Sequence, residues 1–251
     1  MKHKFAAMAL LPLAVASFAN DANAAQLVVN GGFEVNGGAS SQTFTGWTVF
    51  NQAGGNGSFY VQTGMTSPPP SPVTVDAPPQ GAFAAMTTQQ GPGTHIIYQD
   101  IAIPAGVTAT FSAKVHVRSL GSLSTQPSLD YTSASNQQAR VDIMNPAAPL
   151  QDVGAGVLLN VFQTATAGAQ IQPYATITAN LTPFAGTTVR LRFAETDNLG
   201  NFRFGVDDVK VQTSALARVP TLSEWSLILM SSILAMIGIA RTRRGRLPMT
   251  R

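Results

Sequence analysis

Few residues of this chain are equipped for chemistry, and they lie far apart in the sequence. There is no cysteine, which removes thiol catalysis and cysteine-bound zinc. His95 and His116 are the histidines beyond the first few residues. Neither sits beside a nucleophile elbow or at a metal-ligand spacing. His95 falls near a strand start and His116 on the polar side of an alternating run, so both read as surface histidines, and no catalytic residue is assigned. The acidic residues say more. Asp207 and Asp208 are adjacent, and like charges side by side repel. Phe204 and Val206 share one parity while Val209 and Val211 share the other. If both pairs face a core, a β-bulge must sit at the Asp pair. Trp47, Tyr60, Tyr98, Tyr131 and Tyr174 offer flat apolar faces with a polar handle, suited to stacking on a sugar ring. Trp47, entering a strand after Gly46, reads as core. Tyr131 lies in a polar loop and is the candidate for exposure.

The elements that must position these groups are strands. Phe111, Ala113, Val115 and Val117 alternate with Thr110, Ser112, Lys114, His116 and Arg118, the period of a half-buried antiparallel strand. Residues 188–193 repeat the pattern, with Arg190 and Arg192 outward. Further strands are expected at 26–30, 46–50, 58–62, 82–88, 95–103, 139–144, 157–162, 174–181 and 202–212, separated by turn residues such as Pro104-Ala105-Gly106 and Asn198-Leu199-Gly200. The proline-dense stretch 67–79 and the Ser/Thr/Gln/Asn-rich stretch 119–138 read as long loops, either functional or decorative. Many short strands without an amphipathic helix predict an all-β, antiparallel β-sandwich over residues 25–213, with a linker at 214–218. The formal net charge is +3. Between Ala25 and Arg218, however, eight Lys and Arg stand against ten Asp and Glu, a net of −2. No clustered basic face points to nucleic acid.

Both ends carry addresses. Lys2 and Lys4, the apolar run from Phe5 to Phe18 and Ala22-Asn23-Ala24 predict a signal peptide over residues 1–24, cut before Ala25. At the other end, Val219-Pro220-Thr221-Leu222-Ser223-Glu224-Trp225 precedes a charge-free run to Ala240, followed by Arg241, Arg243, Arg244 and Arg246. The run is short for a bilayer, which favours a buried core helix. Its apolar residues cover every face instead of one stripe, which favours a transmembrane helix with the arginines as a cytoplasmic stop. The segment 219–251 resembles the IPTL-type C-terminal sorting signals of Gram-negative bacteria, departing from their motif only by Val219. That resemblance implies processing by an exosortase-type enzyme, a membrane-anchored precursor, and delivery to the cell surface, outer envelope or extracellular space.

The body carries a second resemblance. Asn30-Gly31-Gly32-Phe33-Glu34, Gly46-Trp47, residues 81–86, residues 97–101 and Phe204-Gly205-Val206-Asp207-Asp208-Val209-Lys210-Val211 occur in the order found in the galactose-binding-like jelly roll of carbohydrate-binding modules. The resemblance implies a non-enzymatic domain with a polysaccharide ligand. It also implies a structural Ca²⁺ held by Glu34, Asp207 and Asp208, to which Asp197 and Asn198 could add oxygens. The alternative for the acidic residues is a solvated strand end. For the whole chain, the alternatives are a structural or adhesive surface protein without glycan, and a hydrolase.

Overall fold

The computed structural model describes residues 24–216 and 222–244. The expected signal peptide up to residue 23, Val219, Pro220, Thr221 and Arg246 lie outside the described residues. The chain divides into two units, one ending at Ala215 and one beginning at Leu216.

In the first unit, eleven strands form a sandwich of two antiparallel sheets. They are β1 (Ala25–Gln26), β2 (Thr48–Asn51), β3 (Ser58–Thr63), β4 (Phe83–Thr88), β5 (Gly93–Ala102), β6 (Val107–Ser119), β7 (Gln137–Met144), β8 (Val157–Gln163), β9 (Ile171–Asn180), β10 (Thr188–Asp197) and β11 (Phe202–Ala215). One sheet runs β3-β4-β11-β6-β9, with β1 also on β11, and the other runs β2-β5-β10-β7-β8. Each strand expected from alternation has a counterpart except that expected at 26–30, which is reduced to Ala25–Gln26, with residues 27–30 outside any strand. Ser214 and Ala215, expected in the linker, continue the ladder opposite Thr108 and Val107. At its other end, β10 runs four residues past the expected Phe193, to Asp197.

Alternation sets the core. Phe111, Ala113, Val115 and Val117 from β6 meet Val189, Leu191 and Phe193 from β10, all buried. Trp47 is core, as expected. Its ring lies 5.1 Å from Phe33 and 5.9 Å from Phe193, and its Nε1 donates to the Asn30 carbonyl at 3.0 Å. A buried indole that satisfies its N–H contributes its apolar area without a polar penalty.

The outward arginines have different fates. Arg190 forms a two-point pair with Asp100 and lies 4.5 Å over the Tyr98 ring. Arg192 points away from the core but is fully buried, because residues 150–152 fold over it. It donates to the carbonyls of Leu150 and Asp152 and to Asp142. Asp142 also takes two bonds from Arg140.

The second unit holds α1 (Leu222–Arg244). Its described side chains, Ser226 to Arg241, are exposed on every face. Among the described residues no helix is long and apolar enough to cross a membrane, so the transmembrane expectation is not shown. Glu224 and Arg241 confine the charge-free run to residues 225–240, about 24 Å at ~1.5 Å per residue, against a hydrocarbon core of about 30 Å. Leu222, Ser223, Glu224 and Trp225 form the start of α1, and Arg241, Arg243 and Arg244 its end.

Candidate functional site

The acidic pair sits where the sequence places a bulge. Asp207 pairs opposite Lys114, the register then shifts, and pairing resumes at Lys210 opposite Ser112. Asp208 takes the left-handed conformation, φ 51°. Asp207 is fully buried and accepts the backbone N–H groups of Gln80 at 2.9 Å and Asp208 at 2.7 Å. Burial pushes its carboxyl up to about 7. The two hydrogen bonds pull against that shift, and the charges of Asp208 and Glu34 add to it. Asp208 instead pairs with Lys210 at 2.6 Å and Lys114 at 3.8 Å. Glu34 is exposed, and its Oε1 accepts the N–H groups of Ala82 and Phe83, both at 3.0 Å. Gly81 makes this turn possible: its φ is +66°, and a Cβ there would fall 2.3 Å from the Glu34 carboxylate. The charge of Glu34 reaches Asp207, while Asp208 is engaged by Lys114 and Lys210. Asn198 lies elsewhere, donating to the carbonyls of Tyr131 and Ser133.

Neither histidine is a surface residue. His116 is 2 % exposed. It lies on the outer side of β6, as alternation predicts, but the proline-rich loop covers that face. The Tyr174 ring sits 5.2 Å from His116, the Tyr174 hydroxyl donates to Gln62, and Asp76 from the loop approaches His116 Nδ1 at 3.5 Å. Burial holds His116 below the usual histidine range, although Asp76 pulls it up. A Cβ on Gly205 would lie 2.5 Å from the Tyr174 hydroxyl, so this glycine gives Tyr174 its seat. His95 is 1 % exposed. Burial lowers it to about 4, so its ring is neutral. His116, on the polar parity, is buried because a long loop folds over it, a relation that periodicity alone does not carry, whereas His95 shares the parity of Ile97 and Ile101 and lies on the core side.

The open polar surface is beside β7 and β8. A cavity of about 340 Å³ is lined there by Thr125, Gln126, Arg140, Asn160 and Gln163 among others. Asn160 and Gln163 donate through their amide nitrogens to Asp142 and Gln138. Among the described residues nothing donates to either amide oxygen. The same long loop carries Tyr131, which is half-buried. Its ring packs on Gly54 and Gly55, and its hydroxyl donates to the Ala53 carbonyl at 3.1 Å. Tyr60 and Tyr98 are also half-buried.

Residues 219–244 match the IPTL-CTERM motif. Solved structures match the chain at low sequence identity. The module TmCBM61 in complex with β-1,4-galactotriose is 11 % identical, with a TM-score of 0.45, covering 74 % of this chain and 98 % of that one. The K3 cleaved adhesin domain of Lys-gingipain from Porphyromonas gingivalis is 14 % identical, with a TM-score of 0.44, covering 75 % and 98 %. A Stig cyclase, FisC, from Fischerella sp. TAU is 14 % identical, with a TM-score of 0.43, covering 77 % and 100 %. No curated protein matches the chain.

Proposed function

We propose that this chain is an exported, non-enzymatic surface protein, processed at its tail by an exosortase-type enzyme, whose body binds polysaccharide. The observation that carries the reading is the sorting motif at residues 219–244, joined to an all-β body. Proline restricts its own φ and biases the residue before it towards extended backbone, a form a processing enzyme can grip, and the motif places a proline second. Carbohydrate fits the polar cavity beside β7 and β8. Sugar hydroxyls need acceptors and donors in fixed positions, and the amide oxygens of Asn160 and Gln163 are unused acceptors held by their own nitrogens. Tyr131 is the aromatic candidate on the same loop.

The body, residues 25–215, is tested against a polysaccharide panel by co-sedimentation. Binding to at least one polymer is expected, with Gln126→Ala and Gln163→Ala each weakening it about 5–10-fold, the worth of a net hydrogen bond. Failure to bind any polymer sinks the carbohydrate reading and leaves a structural or adhesive surface protein. The sorting reading is tested separately: Pro220→Ala should leave unprocessed precursor, and normal processing of that variant refutes recognition of the motif.

A further inference from the structure

Strand β10 carries two carboxylates on the face that should be apolar. Val189, Leu191 and Phe193 point into the core, and Glu195 and Asp197 continue the same parity. Across the ladder, Glu195 pairs with His95 and Asp197 with Gly93. Glu195, Asp197 and His95 are 0 %, 1 % and 1 % exposed. One donor atom from each lies within 4.8 Å of the others, and among the described residues this is the one such group of three.

The carboxylates are poorly served by the protein. Neither oxygen of Glu195 has a hydrogen-bond partner other than the neighbouring Asp197 carboxyl. Asp197 Oδ1 accepts the Gly93 N–H at 3.1 Å. Gln89, also fully buried, lies beside Asp197, and neither of its amide atoms makes a geometrically sound hydrogen bond. Arg203 is the nearby cation, but its nitrogens go to Ser67, the Phe202 carbonyl and the Ser71 carbonyl. Among the described residues no ion pair includes Glu195 or Asp197. An ionised carboxylate without partner or water costs several kcal/mol, so such groups are paired, bind metal or stay protonated.

We infer that His95, Glu195 and Asp197 form a structural site for a divalent first-row metal ion, Zn²⁺ or Mn²⁺, with Gln89 Oε1 as the fourth protein ligand. One imidazole nitrogen and two carboxylates are the donors on which these two ions overlap. Tetrahedral bonds of about 2.0–2.2 Å put donors roughly 3.4 Å apart, so a spread of up to 4.8 Å closes by small side-chain rotations. Asn51 Oδ1 sits 2.9 Å from His95 Nδ1, the second contact that orients a ligating ring. With Nδ1 carrying the proton, Nε2 becomes the ligand, exchanging its present 3.0 Å contact with the Asn56 carbonyl for the ion. Asp197 also lines a cavity of about 180 Å³ with Gln90, Pro92, Asn198 and Gly200. Gln90 and Pro92 are exposed, so the cavity gives the ion a way in. The site would tie β5 to β10 at one end of the sandwich. It is independent of the glycan reading and separate from the acidic bulge.

The full chain, purified in mild detergent and stripped with chelator, is titrated with Zn²⁺ and with Mn²⁺ while thermal unfolding and bound metal per chain are measured. One ion per chain and a Tm rise of about 5–10 °C at a hundredfold excess over Kd are expected. Glu195→Gln and Asp197→Asn should each abolish the response, while Asp207→Asn and His116→Gln keep it. The inference is overturned if the stripped wild type binds neither ion. In that case the carboxyls share a proton instead. It is equally overturned if binding survives in Glu195→Gln or is lost in His116→Gln. The wild-type titration alone decides the matter should the variants fail to fold.

Discussion

Replacing Asp142 by asparagine should destabilise the body by about 3–5 kcal/mol, the cost of leaving buried charges without their partner. Asp142 is fully buried. It takes Arg140 Nε at 2.7 Å and Nη2 at 2.8 Å, Arg192 Nη2 at 2.6 Å and Nε at 3.2 Å, and Asn160 Nδ2 at 2.8 Å. Asparagine keeps the shape, removes the charge, and turns one acceptor into an N–H₂ group facing a guanidinium. Two arginines, 0 % and 5 % exposed, are then left with one neutral acceptor between them. For a body of this size about 2–4 °C accompanies each kcal/mol, so Tm should fall by roughly 10–15 °C. The assay is urea unfolding of the body, wild type against Asp142→Asn, with Arg192→Met and the double variant closing a cycle. Arg192→Met should cost less in the asparagine background than alone, because the partner it loses is already gone. A loss under about 1 kcal/mol for Asp142→Asn, well short of the cost expected for a broken buried pair, would mean that water reaches this cluster and refute the reasoning.

Three further outcomes follow from the same geometry. Asp197 and Asp207 stand at about 7 against an unfolded value of 3.8, and Glu195 is raised as well, all chiefly by burial. A raised carboxyl stabilises fully below its unfolded value and loses that contribution as pH rises through the folded value. Metal-free body should therefore lose stability between pH 5 and 8.5, by roughly 3 kcal/mol for each of the two aspartates; a gain over that range would contradict their burial. Ca²⁺ is proposed to relieve Asp207 beside Glu34, so calcium should raise Tm in wild type and not in Asp207→Asn, whereas indifference of the wild type would refute calcium binding at the bulge. N-terminal sequencing of exported protein should read from Ala25, and a retained Lys2 would remove the signal peptide from the account.

The strands were legible because alternation is local: a residue's parity relative to Phe111 or Leu191 fixes its side of the sheet. The bulge at Asp207 was legible for the same reason, as a parity break between Val206 and Val209. The buried group at Glu195 and Asp197 was within reach of the same rule. Extending the odd parity of Val189, Leu191 and Phe193 by two more steps puts both carboxylates inside, but acidic residues ahead of Asn198-Leu199-Gly200 look like the start of a turn. His116 and Arg192 were placed on the correct side and given the wrong environment. Their burial depends on loops some forty residues away in sequence, and no period links a strand to the loop that covers it. Tyr131 shows the converse: a polar loop predicts exposure, yet its ring finds the Gly54-Gly55 turn.

The strand that leads out of the body towards the tail is also its longest. β11 pairs with β6 from Phe202 to Ala215, with β4 at Gly205 and Val206, and with β1 at Gln212 and Thr213. A load applied at that end would be met by ladder bonds to three strands, so the longest strand of the body is also its most widely braced one.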